Sequence, residues 1–412
     1  MTMAPRKIIL DTDPGVDDVL AVLLALASPE LDTIAITITF GNTHAPVAYN
    51  NLLKIYASLT REVMHDAASL ARFPGLGGGK TVLALGADGP VDGEKAVAAY
   101  FHGTDGLSNI SETHPHFDPP QQLEGEHVHE HLDLSRKHAS EVILDQLREH
   151  EPGSVTIVAL GPSHLTHPLL CALLVSNLAL ALAADPETFS RVGQVVWMGG
   201  ALDVPGNTSP TAEFNCFADP YAAHQVLEGV KKGLFRMVMA PLDITTPHTI
   251  HFDQLIHTVE EADAASTHGK GKGTGRLTPL REFTSAMLVR VRGLMQSFGL
   301  PDEMEMHDPV AVWYAIENAQ QDEAAAAERG WKTVPRVFAV ERTGELTRGM
   351  CVVDRRGTNE EDALRTKSAI SSGKNEDHST TAKVRAGAPE VIVGTPGKKV
   401  LETLLLGRVF GA

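Results

Sequence analysis

Five short apolar runs rich in β-branched residues constrain the fold of this 412-residue chain more than any other feature: Lys7 to Leu10, Ile34 to Phe40, Val155 to Leu160, Gln194 to Met198 and Arg236 to Met239. Each runs into a turn holding glycine or proline, and most are followed by a helical pattern. Continuous apolar strands are those buried on both faces, and strand, turn and helix in succession build a parallel sheet with helices on either side. Right-handed crossovers then predict a doubly wound, mostly parallel α/β core. Ser108 to His138, Ala265 to Gly275 and Asn359 to Ala388 interrupt the pattern and read as long surface loops or disordered insertions. The strand pattern resumes after each, so a single domain over 1–412 is expected. The apolar tract from Pro168 to Ala184 stops at Asp185, short of the roughly 20 residues that a membrane span needs, and reads as buried helical turns.

The formal net charge is −17, a sign that repels nucleic acid and anionic membranes and favours a neutral or cationic small ligand. Cys171, Cys216 and Cys351 are few, odd in number and far apart, which fits reduced thiols in the cytoplasm. The apolar stretch Ile8 to Leu10 is too short to read as a signal peptide.

The sharpest chemical feature is Asp11-Thr12-Asp13-Pro14-Gly15-Val16-Asp17-Asp18, four carboxylates where the first strand hands over to a helix. A cap needs one carboxylate, and the others could be solvated. Four together call for a hard, oxygen-binding cation, Ca²⁺ or Mg²⁺. In His307-Asp308-Pro309, Pro309 suits the first helical position and Asp308 the N-cap. Ligands of open α/β sheets bind beyond the carboxyl ends of the strands, so a helix starting there could bring Asp308 to the ion of Asp13 and Asp18. A third stretch, Met198-Gly199-Gly200, Gly206-Asn207 and Ala212-Glu213-Phe214-Asn215, offers donors, acceptors and an apolar wall suited to a sugar. Asn42, after another strand, reads on its own as a turn residue. His127, His129 and His131 alternate and could share one face of a strand, but their Glu-rich flanks favour a solvated loop. Cys216 reads as a packed thiol, and Lys270 and Lys272 lack the spacing of a phosphate loop.

With these residues in view, the chain resembles the inosine-uridine preferring nucleoside hydrolase family. The likeness rests on the eight-residue acidic motif, Gly41-Asn42, Leu160-Gly161-Pro162, Met198 to Ala201, Gly206-Asn207, Ala212 to Asn215, Asp219-Pro220, His307-Asp308-Pro309 and the late segment Leu346 to Gly349 with Val352 to Asp354. The resemblance implies Ca²⁺ held by the side chains of Asp13, Asp18 and Asp308 and by the backbone carbonyl of Leu160, where the family often has Thr. It implies that Asp13 takes the proton from the water attacking C1′ of the ribose. Asp17, Asn42, Asn207, Glu213 and Asn215 would hold the ribose hydroxyls, with Met198 and Phe214 against the sugar, and His307 would assist departure of the base. His102-Gly103 and Asp105 to Leu107 look like the family's loop near the base. After Gly161-Pro162 the sequence departs from the family pattern with Ser163 to His167. The expected assembly is a homo-oligomer, dimer or tetramer. Two rivals are a haloacid-dehalogenase-like phosphatase, which Asp11-Thr12-Asp13 imitates although Gly15 replaces its usual Thr or Val, and a catalytically silent nucleoside or ribose binder.

Overall fold

The computed structural model describes residues 4–89, 98–119, 129–161, 177–258, 277–318, 323–355 and 387–412. The chain opens as β1 (Arg6–Thr12), α1 (Val16–Leu26), β2 (Leu31–Ile38), α2 (Ala45–His65), β3 (Thr81–Leu85), β4 (Leu132–Leu134), α3 (Ala139–Glu149) and β5 (Val155–Ala159). It continues through β6 (Gln194–Met198), α4 (Phe214–Ala218), α5 (Pro220–Lys231), β7 (Met237–Ala240), β8 (Thr249–His251), α6 (Pro279–Ser297), β9 (Glu303–Glu305) and α7 (His307–Glu317). Last come β10 (Lys332–Pro335), β11 (Ala339–Val340), β12 (Cys351–Val352) and β13 (Glu390–Gly394). Nine strands form one sheet in the order β10-β13-β7-β6-β5-β1-β2-β3-β4, and every neighbouring pair is parallel except the antiparallel edge pair of β10 and β13. β8 pairs with β9 and β11 with β12 in two small antiparallel ribbons.

The order reverses at β1. The chain leaves it toward β2, β3 and β4, then returns to its other side with β5, β6 and β7, so the loops after β1 and β5 diverge and leave a crevice where open α/β sheets bind ligands. Alternation along β1 feeds two cores: Ile8 and Leu10 pack with α1, α2, α6 and α7, and Ile9 packs with α3 and α5. In α1, Val16 and every residue from Asp18 to Leu26 is buried, because the helix lies between the sheet and α7, which is itself buried from Asp308 to Ile316. A helix that is apolar all round needs such cover on every side.

All five expected strands are present, β6 with the expected limits and the others shifted by a few residues at their ends. The segment from Ser108 to His138 is in part the expected exposed loop, but it differs from it in three places. Short helical turns run over Ile110–Thr113 and Pro115–Phe117, Ile110 and Phe117 are buried, and Leu132–Leu134 closes one edge of the sheet. A few large apolar residues anchor an otherwise polar stretch, which average composition hides. Asn177–Ala184 is helical and largely buried, in accord with the buried turns read there. Pro168–Ser176, Ser163–His167, His127, Ala265–Gly275 and 359–386 lie outside the described residues. Among the described residues no helix is long and apolar enough to cross a membrane.

Because Leu23 is fully buried at the heart of α1, Leu23→Ala is expected to lower unfolding stability by about 2–5 kcal/mol. A urea midpoint unchanged from the wild type would show that α1 is not held as a packed layer.

Candidate active site

β1 ends on Asp11 and Thr12, and the turn through Asp13 and Pro14 reverses into α1, whose N-cap is Gly15. A Cβ on Gly15 would lie 2.6 Å from both Asn42 Nδ2 and His102 Nδ1, so only glycine lets these side chains converge on the helix start. Asp18 reaches back across the turn. Its Oδ1 accepts from Thr12 Oγ1 at 2.5 Å and from the Asp13 amide at 3.3 Å, and its Oδ2 from the Gly15 amide at 3.0 Å and Asn42 Nδ2 at 2.6 Å. This is the return half of a capping box, used to hold a loop of carboxylates in shape. Asp13 is held from the far side, its Oδ2 taking the Asn42 amide at 2.6 Å. A Cβ on Gly161 would stand 2.6 Å from Asp13 Oδ1, so this wall also needs glycine.

Oxygens of Asp17, Asp18 and Asp308 lie within 4.8 Å of one another at the converging N-termini of α1 and α7. Burial pushes Asp13 and Asp308 well above the usual carboxylate range, and the charge of Asp18 adds to the push on both. Burial also raises Asp18, against the hydrogen bonds from Thr12, Gly15 and Asp13. Asp17 is pushed up to about 7, first by desolvation and then by Asp18. Oxygens of Asp18 and Asp308 lie close enough that each carboxyl perturbs the other, and a shared proton or a cation relieves such crowding. Hard oxygen donors on two helix N-termini fit a divalent cation of the Ca²⁺ or Mg²⁺ type. Asp18 and Asp308 thus meet as expected, while the third member of the tightest group is Asp17, and Asp13 turns toward Asn42 and Gly161. Asp11 is set apart. Its Oδ1 takes Thr37 Oγ1 at 2.6 Å and Asn177 Nδ2 at 2.7 Å, and burial lifts it to about 6.

The third stretch forms the opposite wall. Glu213 caps α4, accepting from the amides of Asn215 at 2.6 Å, Cys216 at 3.0 Å and Gly200 at 2.6 Å. Burial raises its carboxyl, and those three amides work against the rise. Asn215 Nδ2 donates to the Leu160 carbonyl at 2.8 Å and the Met198 carbonyl at 3.0 Å, tying α4 to the ends of β5 and β6. Asn207 Oδ1 takes the Phe214 amide at 2.9 Å; Met198 is buried, and Phe214 and Asn207 are progressively more exposed. The amide nitrogens of Asn42 and Asn215 therefore brace the site. Cys216 is a packed thiol, as expected, with Cys351 Sγ at 3.8 Å.

His307 begins α7. Its Nδ1 is 2.8 Å from Thr245 Oγ1 and its Nε2 is 2.9 Å from Glu305 Oε2, two partners that the sequence reading missed. Burial alone would pull the imidazole down, but the Glu305 hydrogen bond and the charges of Glu305, Asp17 and Glu213 outweigh it and hold it above its usual value. His102 lies on the same side as the acidic turn. Its Nδ1 accepts the Val16 amide at 3.2 Å, and burial, helped by Arg290, drops it to about 3, so it is a neutral imidazole carrying its proton on Nε2. Asn51 ties this region together by donating to the carbonyls of Pro14 at 3.0 Å and Asp105 at 2.7 Å.

Comparison with known proteins agrees with this architecture. Residues 8–385 match the family model described as inosine-uridine preferring nucleoside hydrolase. The inosine-uridine preferring nucleoside hydrolase of Leishmania major is 30% identical over 350 residues, 85% of this chain and 88% of that one. An uncharacterized protein of Schizosaccharomyces pombe is 35% identical over 246 residues, 60% of this chain and 63% of that one. The solved structure of an inosine-guanosine nucleoside hydrolase superposes with a TM-score of 0.69 at 25% identity, covering 98% of this chain and 99% of that chain. The phosphatase alternative fails against a family match of this extent. The chain belongs to the inosine-uridine preferring nucleoside hydrolase family, enzymes that cleave N-glycosyl bonds.

Proposed function

We propose that this nucleoside hydrolase releases the free base from ribonucleosides with Ca²⁺ held by the side chains of Asp13, Asp18 and Asp308 and the carbonyl of Leu160. The observation that carries the reading is the carboxylate group at the N-termini of α1 and α7, where oxygens of Asp17, Asp18 and Asp308 crowd within 4.8 Å. When bound, the cation orients a water molecule and lowers its pKa. Asp13 accepts the proton of that water as it attacks C1′. The ribose turns oxocarbenium-like as the bond breaks, and Asp17 and Glu213 place negative charge around it. Asn42, Asn207 and Asn215 contribute to hydroxyl recognition, and Met198 and Phe214 wall the ring. The electron pair of the C1′–N bond leaves on the base, to which His307 gives a proton. Acting on free nucleosides rather than on nucleic acid or membranes, the enzyme works in the cytoplasm as a homo-oligomer, dimer or tetramer. Relatives named for inosine with uridine or guanosine make inosine the first substrate to assay.

Chelation is expected to abolish hydrolysis and Ca²⁺ to restore it; full activity in excess chelator, with metal loss verified, refutes the metal role. Asp308→Asn removes one crowded charge. A carboxyl raised in the fold costs stability as pH rises from its unfolded value near 4 toward its folded one. In chelator the variant should therefore melt above the wild type at about pH 7.5, with the gap narrowing toward about pH 5. Calcium should no longer raise its Tm.

Leaving-group chemistry separates the two reacting side chains. Asp13→Ala should suppress both inosine and p-nitrophenyl riboside hydrolysis. His307→Ala should suppress inosine by about 10²- to 10⁴-fold and leave p-nitrophenyl riboside, whose leaving group needs no proton, far less affected. Equal losses on both substrates would mean that His307 serves the metal site or the fold.

The ribose pocket is tested by 2′-deoxyinosine, which should be cleaved about 10²-fold or more slowly than inosine, because buried polar groups would lose their partner. Equal rates would remove Glu213, Asn207 and Asn215 from hydroxyl recognition.

A further inference from the structure

We infer that Glu305 and Thr245 are positioning residues that present His307 to the leaving base, an inference that rests on the proposed role of His307. Both ring nitrogens are engaged by protein. Nε2 lies 2.9 Å from Glu305 Oε2 and Nδ1 lies 2.8 Å from Thr245 Oγ1, which fixes the plane of the imidazole. A carboxylate oxygen accepts, so Nε2 is the donor in the first contact, and in the protonated ring Nδ1–H donates to the Thr245 hydroxyl. Nε2–H is therefore the group ready for a hydrogen-bond acceptor on a base.

The two anchors differ in kind. Thr245 is fully buried at the end of the short helix Leu242–Thr245 after β7, so its hydroxyl is a fixed pivot. Glu305 is the last residue of β9, and its side chain is 38% exposed against 14% for His307. It stands on the solvent side of the ring, and its hydrogen bond is the one that an arriving ligand can replace. Exchange of the Glu305 carboxylate for a nitrogen or carbonyl oxygen of the base keeps Nε2–H bonded throughout and leaves the Thr245 contact intact. When the C1′–N bond breaks, its electron pair goes to the base and the Nε2 proton of the protonated ring follows, leaving a neutral imidazole whose remaining proton is on Nδ1 beside Thr245. The carboxylate then lies within reach to order the ring again for the next turnover.

The test uses the Ca²⁺-loaded full chain with Glu305→Ala, Glu305→Gln and Thr245→Val. Glu305→Ala is expected to lower kcat on inosine by about 10- to 100-fold, the scale set by loss of a carboxylate that orients a working imidazole. Its p-nitrophenyl riboside rate should stay within about 3-fold, because that reaction needs no proton for its leaving group. Glu305→Gln keeps an acceptor oxygen and should recover most of the inosine rate, while Thr245→Val should fall on the inosine side as well. Two-bond ¹H–¹⁵N spectra recorded at alkaline pH, where the ring is neutral, with His307→Asn used for assignment, should show the Nε2–H tautomer in the wild type and its loss or mixing in Glu305→Ala. Equal losses on both substrates, or an unchanged tautomer in Glu305→Ala, would reduce Glu305 to a structural partner and overturn the inference. A wild type that cleaves neither substrate would instead remove the hydrolase reading, and the inference with it.

Discussion

Burial of like charges is the constraint on which the rest of this structure depends. Asp13, Asp17, Asp18 and Asp308 are brought together by the turn out of β1 and the start of α7, and an arrangement of that kind costs free energy unless something offsets it. Part of the offset is internal. The N-termini of α1 and α7 both point their amides at the group, and Asp18 gathers donors from Thr12, Asp13, Gly15 and Asn42. The remainder is what a cation supplies. Two apolar helices packed on one another and on the sheet keep the N-termini from separating under this load, so core and site are two ends of the same elements.

Much of this was legible because the motif is local. Strand, turn and helix N-terminus follow within a dozen residues around Asp11 to Asp18, and capping logic plus charge crowding suffice to read a cation site from them. The topological rule then brings in Asp308 from the other end of the chain. What was not legible is which way each side chain turns. Asn42 and Asn215 are amides of the type that reads sugar hydroxyls, yet their nitrogens go to Asp18 and to the carbonyls of Leu160 and Met198, partners that only the folded sheet brings near. Asp11, one of four similar acids on paper, belongs to Thr37 and Asn177 instead.

Glu305 and Thr245 were missed for different reasons. Thr245 is 62 positions from His307 and sits in an unremarkable turn after β7. Glu305 had a usable signal, since Glu-x-His at the end of a strand puts both side chains on one face. The edge strands β3, β4, β10 and β13 escaped because they are short or interrupted by polar residues, and the ordered part of 108–138 escaped because its apolar anchors are few.

The carboxylate of Glu213 rests entirely on main-chain amides, those of Gly200, Asn215 and Cys216. Among the described residues, a charge held this way depends on no side-chain donor that drift could delete. The region of Phe101 to Asp118 is held differently, by side chains such as Asn51, Lys54 and Arg290 reaching across from α2 and α6. Mutation therefore meets two unequal halves. The half built on backbone tolerates neighbouring substitutions and stays as it is, and the half built on side chains can be re-cut one residue at a time.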